Sequence, residues 1–390
     1  MKPLSRNLAS AVVIAVAVTG ATAVRADDDG FKDQRNAYVV NKLVSDQNGV
    51  ANFRDPVLRN AWGVTFTPGA SPFWIADNAS GCSTLYDGTG VKVALQVPIP
   101  LPDNSVPSTA CQPASAHTNP PPPTPAAPTG VVWNPTTTFL VPRTSTPASF
   151  IFATEDGTIA AWANAATSNN QAVIAFDNSA SGAVYKGLVF GTNTNGVFLF
   201  ATNFHAGTVD VFKPADNTSS GQYIETTTTG GFKDSKIPAG FAPFGIENIN
   251  GDLFVSYAKQ NAEMHDDVAG PGNGFVDVFD TNGNLLRRFA SRGPLNSPWG
   301  MTRASFAFGR FSGLILVGNF GNGEINVFSS QGQFIDELDR PNGKPLVIDG
   351  LWKLILGGGR NSSSDTLYFT AGPNDETNGL FGTITPASKQ

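Results

Sequence analysis

The chain has 390 residues, enough for one large β domain or two ordinary ones, and only 14% of them are charged. A formal net charge of −6 without a basic stripe argues against nucleic acid as a partner. Gly 41, Pro 28 and Phe 28 join abundant turn formers to strand-forming aromatics, and no long helical periodicity follows the first residues, so an all-β fold is expected.

The amino terminus reads as a secretory signal peptide over residues 1–26. Lys2 and Arg6 supply the positive start, and Leu8 to Val18 the apolar run. Ala21-Thr22-Ala23 and Val24-Arg25-Ala26 both fit a cleavage site. The apolar run is about half the ~20 residues that a membrane span needs, which weighs against a retained anchor. No second apolar span follows. The remainder, 27–390, is expected to be one exported monomeric domain, periplasmic or extracellular.

Tyr38 to Val44 is a strand-forming run that precedes the first repeat. After it, a short motif ending in Gly opens a strand six times: Trp62-Gly63-Val64, Thr129-Gly130-Val131, Lys186-Gly187-Leu188, Phe244-Gly245-Ile246, Trp299-Gly300-Met301 and Asp349-Gly350-Leu351. Successive glycines are 67, 57, 58, 55 and 50 residues apart. Units of this size predict a six-bladed β-propeller with long loops.

Within the first repeat, Cys82 and Cys111 are the only cysteines. Export favours a disulfide between them over two separate thiols. The proline-rich stretch 98–129 is no strand and reads as a loop between blades one and two. Blade three shows the pattern most plainly, with strands from Lys186, Gly196, Gly207 and Gln222. In blades four and five, Asp280 to Gly283 and Ser329 to Gly332 are hairpin turns. Blade six has only three strands, so Tyr38–Val44 is expected to pair with Leu380–Thr385 and close the ring.

Strand alternation puts the loops between strands two and three on one face with the connections between blades. That face should collect Asp77, Glu155, Asn203, His205, Tyr257, Asn319 and Asn374 around the channel mouth, as ligand-binding residues. Asp77, Asp156 and Asn319 also suit turn capping. Glu155 is a poorer turn former, hence the better functional carboxylate. His205 is the histidine expected in the ring, with His117 in the proline-rich loop and His265 in an insertion of blade four. That insertion runs from Glu263 through Asp266, Asp267 and Gly274; Asp266 and Asp267 offer oxygens for Ca²⁺, or form a solvated acidic loop. Their spacing does not match the EF-hand. Serine-hydrolase, zinc-protease and phosphate-loop signatures are missing.

Asn60-Ala-Trp-Gly63, Ala201-Thr-Asn-Phe204, Gly207-Thr-Val-Asp-Val-Phe212, Gly274-Phe-Val-Asp-Val-Phe279, Ile348-Asp-Gly-Leu-Trp352 and Phe369-Thr-Ala-Gly-Pro-Asn374 carry a likeness across most of the chain. It resembles an uncharacterised family of exported bacterial propeller proteins, some of which end in a PEP-type sorting tail, and more loosely NHL repeats. The resemblance implies a propeller and no activity; this sequence ends at Pro386 to Gln390 without such a tail. The expected function is a binding platform for a small molecule, polysaccharide or exported protein. The alternatives are a metal-assisted hydrolase or lactonase-like enzyme with Ca²⁺ at the channel, and a structural matrix or surface protein.

Overall fold

Apolar runs punctuated by glycine turns fold each repeat into an antiparallel meander, whose alternating side chains pack against the sheets on either side. The computed structural model describes residues 35–388 apart from 70, 115–122, 165, 167–169 and 217–220. The leader, His117 and the centre of the proline-rich loop lie outside the described residues. Six sheets make a six-bladed β-propeller, and five of them have four strands. Neighbouring blades interlock through aromatics: Trp74 of blade one stacks on Phe150 of blade two with centroids 4.0 Å apart.

The ring closes as the sequence predicts. Tyr38–Ser45 lies antiparallel to Leu380–Pro386 and forms the outer strand of the last blade, with the short strand Phe53–Arg54 added at one end. Cys82 and Cys111 form a disulfide that pins the loop after blade one to the third strand of that blade. Closing a loop of 29 residues contributes about 3–4 kcal/mol on a chain-entropy account.

The innermost strands are Ala61–Thr65, Pro128–Trp133, Tyr185–Asn193, Phe241–Ile249, Pro298–Arg303 and Leu351–Leu356. All six carry a register shift near the start, between Ala61 and Val64 in the first and between Leu351 and Leu354 in the last. The shift aligns Gly63, Gly130, Gly187, Gly245 and Gly300 with Lys353. The sixth motif therefore reads Trp352-Lys353-Leu354, three residues beyond the expected Asp349-Gly350-Leu351. Gly350 instead takes φ +64 in the turn before the strand.

Glycine is required at the other five positions because the backbones nearly touch. A Cβ on Gly63 would lie 2.5 Å from the Thr129 carbonyl oxygen, and one on Gly130 would lie 2.7 Å from the Leu188 nitrogen. The room left along the axis accommodates one long side chain, that of Lys353, which pairs with Glu247 of blade four. Only about 10 Å³ of void remains there.

Gly300→Ala would drive a methyl group onto the Trp352 carbonyl oxygen, so a loss of about 2–3 kcal/mol is expected. Gly207→Ala, at φ +69 with open space around it, should lose only about 1 kcal/mol. Urea unfolding of both variants checks this; equal losses would mean that the axis tolerates side chains.

Candidate functional site

At the end of the axis where the chain enters each inner strand, the residues before the glycine positions form a plug. Trp62 stacks on Trp352 at 3.6 Å, Phe320 covers the other face of Trp352 at 3.9 Å, and Trp299 meets Trp62 edge-on at 5.9 Å. Phe204 and Phe244 complete it. Blade three departs from the pattern by placing Lys186 here. Its ammonium lies 5.0 Å from the Trp62 ring centre and 5.8 Å from that of Phe204, and the residue is only 2% exposed.

Carboxylates answer that charge. Glu155, just past the second strand of blade two, pairs with Lys186, and Asp266 approaches it at 3.6 Å. Burial opposes the lysine's charge; Glu155, Asp266 and Glu376 outweigh it and hold its pKa above the ordinary value. Asn78 Nδ2 donates to Glu155 at 2.8 Å. Glu376 accepts from Asn60 Nδ2 at 2.6 Å, and Asn60 Oδ1 accepts from Trp352 Nε1 at 3.0 Å, so the polar layer is tied to the plug.

Backbone geometry delivers these groups. The blade-four insertion folds back through the Gln260–Asp267 bridge and the Val268 N–H to Lys259 carbonyl bond of 2.7 Å. Asn261 Oδ1 accepts from the His265 and Asp266 N–H groups at 2.9 and 3.2 Å. Asn374, Asp375 and Glu376 all have positive φ, 58°, 51° and 62°, a left-handed turn costly for residues with side chains. That turn swings Glu376 toward the axis.

His265 Nδ1 lies 2.9 Å from Asp266 Oδ1, which raises the histidine pKa and lowers that of the aspartate. Glu155, His265 and Asp266 bring one ligand atom each to within 4.8 Å of one another. Burial raises the Asp267 pKa, and it pushes Glu376 up to about 7, with the Glu155 charge adding to the effect. Four carboxylates thus face one lysine and one histidine.

The residues expected at this mouth divide. Glu155 and Asp266 meet at Lys186, and Asp267 is part of the same charge environment. Asp77 is buried in blade one, where it accepts from the Thr84 N–H at 2.9 Å. Asn203 is a buried cap that bonds Asp210 at 2.9 Å, and Asn319 a buried cap that accepts from the Asn296 N–H at 3.1 Å. Tyr257 is enclosed within blade four, since its strand buries that face. Asn374 is exposed and bonds Asn378. His205, expected in the ring, sits by Gly182 at the rim, and it is His265 of the insertion that lies near Glu155. Lys186, Asn60 and Glu376 were not foreseen. A lysine where four other repeats carry Trp or Phe and one carries Thr129 was the available signal; nothing local marks Glu376.

No family model matches the chain. It is 30% identical over 353 residues to uncharacterized protein L690 of Acanthamoeba polyphaga mimivirus, covering 89% of this chain and 85% of that protein. The chain belongs to the L690 family. Uncharacterized protein R648 of the same virus is 28% identical, over 89% of this chain and 80% of its own length. These relatives are viral, and the bacterial origin implied by the motif resemblance finds no support in them. Among solved structures, virginiamycin B lyase from Staphylococcus aureus aligns over 90% of this chain and 100% of its own, at 16% identity and TM-score 0.48.

Removing either Lys186 (as Met) or Glu155 (as Gln) strands a buried charge and should cost about 3–5 kcal/mol, whereas the double variant should stay within about 1 kcal/mol of the parent. Urea unfolding of the four-membered cycle reads this; additive losses would deny the coupling. For Glu376 the folded value of about 7 exceeds the ordinary 4.5, so the folded state holds more protons between them. Stability falls as pH rises through that window, by about 3 kcal/mol at most. Glu376→Gln should remove this loss, so its advantage over the parent grows from pH 5 to pH 8; a constant difference would contradict the raised pKa.

Proposed function

We propose that this protein is an exported propeller that binds a donor-rich ligand, an amine or a hydroxyl-bearing sugar, over the axial plug. The buried Lys186 and its surrounding carboxylates carry this reading. The ring needs no charge to close, because aromatic residues fill the equivalent positions in four other blades, as Trp62, Phe244, Trp299 and Trp352. A buried charge pair is weak evidence for stability, and ionisable groups with perturbed pKa values gathered at a mouth are candidates for binding. Carboxylate acceptors outnumber cations, which favours ligands that donate hydrogen bonds. Export is supported by the leader-like residues 1–26 and by the Cys82–Cys111 disulfide.

A metal-assisted hydrolase is the second reading, favoured by the closeness of Glu155, His265 and Asp266. A divalent cation held by Glu155, His265 and Asp266 would polarise a carbonyl and activate a water. Lys186 already neutralises Glu155, which weakens the site for a metal and places this reading second.

Thermal-shift measurements with amines, sugars and lactones, alongside calcium, manganese and zinc salts, separate the two. Binding compounds should raise the melting temperature of the parent and lose that effect in the Lys186→Met, Glu155→Gln double variant. Compounds that stabilise both proteins equally would reject the axial site. A metal-dependent shift abolished by Asp266→Asn, without any organic hit, would favour the second reading.

A further inference from the structure

Tyr38–Ser45 is the outer strand of the last blade, so one of its edges faces away from the sheet. Its pairing shows which backbone groups lie on that edge. Tyr38 stands opposite Pro386, which has no N–H, while the Ala387 N–H donates to the Ala37 carbonyl at 2.9 Å. Alternation then turns Val39 and Asn41 inward, and Tyr38, Val40 and Lys42 outward. Both ends of the outward edge are occupied. The Tyr38 N–H donates to the Asp339 carbonyl at 2.7 Å, and the Lys42 carbonyl accepts from the Asn52 N–H at 3.1 Å. Between them, the Val40 N–H and carbonyl meet no partner among the described residues.

This gap lies in a groove of about 620 Å³ between the strand, the connection 340–349 and the loop 373–380. That volume lies within the range of specific binding sites. Val39, Val347 and Leu380 give it apolar walls, and the exposed Lys42 and Arg340 stand beside it. Arg340 spends one Nη2 bond on the Val347 carbonyl at 3.1 Å, which leaves further guanidinium donors. The carboxylate of Asp349 is engaged by the Asn374 N–H at 2.9 Å. The groove thus offers an unpaired strand edge, apolar walls and a positive rim.

We propose that the groove binds an extended acidic peptide segment of a partner protein, which adds a strand at Val40 and sets a carboxylate between Lys42 and Arg340. Main-chain bonds would hold the peptide in register, and the two cations would select its charge. This site is distinct from the axial mouth and stands whether or not that mouth binds a ligand.

Fluorescence anisotropy with a labelled Thr-Val-Glu-Val-Thr peptide and the full chain tests it. Saturable binding is expected, weakened at least about tenfold by Val40→Pro, which deletes only an outward N–H that the sheet does not use. Lys42→Glu with Arg340→Glu should cause a similar loss, as should lysine in place of glutamate in the peptide; circular dichroism verifies that each variant folds. Absence of saturable binding, binding unchanged in both variants, or equal binding of the lysine peptide would overturn the proposal. So would binding that emerges only after residues 1–34 are deleted, or dimerisation that competes with the peptide, since these assign the groove to the chain's own segment or to a second copy.

Discussion

Everything about the centre of this propeller follows from how close its inner strands come. Five glycines bring the six backbones almost into contact, leaving no space for an ordinary side chain at that level. In five of the six repeats the residue before the ring position lies at the mouth of the axis, where its size and charge decide what the mouth is. Tryptophan and phenylalanine make a dry plug; lysine makes a charged centre. The chemical character of the mouth is therefore concentrated at very few positions of a fold that is otherwise occupied with burying apolar surface.

A lysine ammonium under two aromatic rings is expensive unless countercharges come from elsewhere. They come from three different blades: Glu155 from the second, Asp266 from an insertion in the fourth and Glu376 from a left-handed turn in the sixth. Each is delivered by a device with its own cost, a long loop or a strained turn. Such backbone is kept where the surrounding structure over-determines it, and the costs converge on one point.

The architecture was legible because its signals are local and repeated. Glycine motifs, hairpin turns and the spare strand at Tyr38 each follow from spacing alone, and the disulfide from there being two cysteines behind a leader-like start. The sixth motif misled because Gly350 also sits beside a strand start, and only pairing with Ala371 and Phe369 shows that Lys353 takes the ring position. The site was less legible. Loop position brought Glu155 to the right face, but it could not tell a buried cap such as Asn203 or Asn319 from a group open to ligand, because both use the same residue types. The insertion carrying His265 and Asp266 was placed on the right face, but its close return to Lys186 depends on bonds from Asn261 and Gln260 that no spacing reveals.

The Lys353–Glu247 pair has a further meaning. It stoppers the axis beyond the aromatic plug, so the ring is no conduit between its two faces. A molecule bound at Lys186 would therefore sit in a cul-de-sac, entering and leaving by one face only.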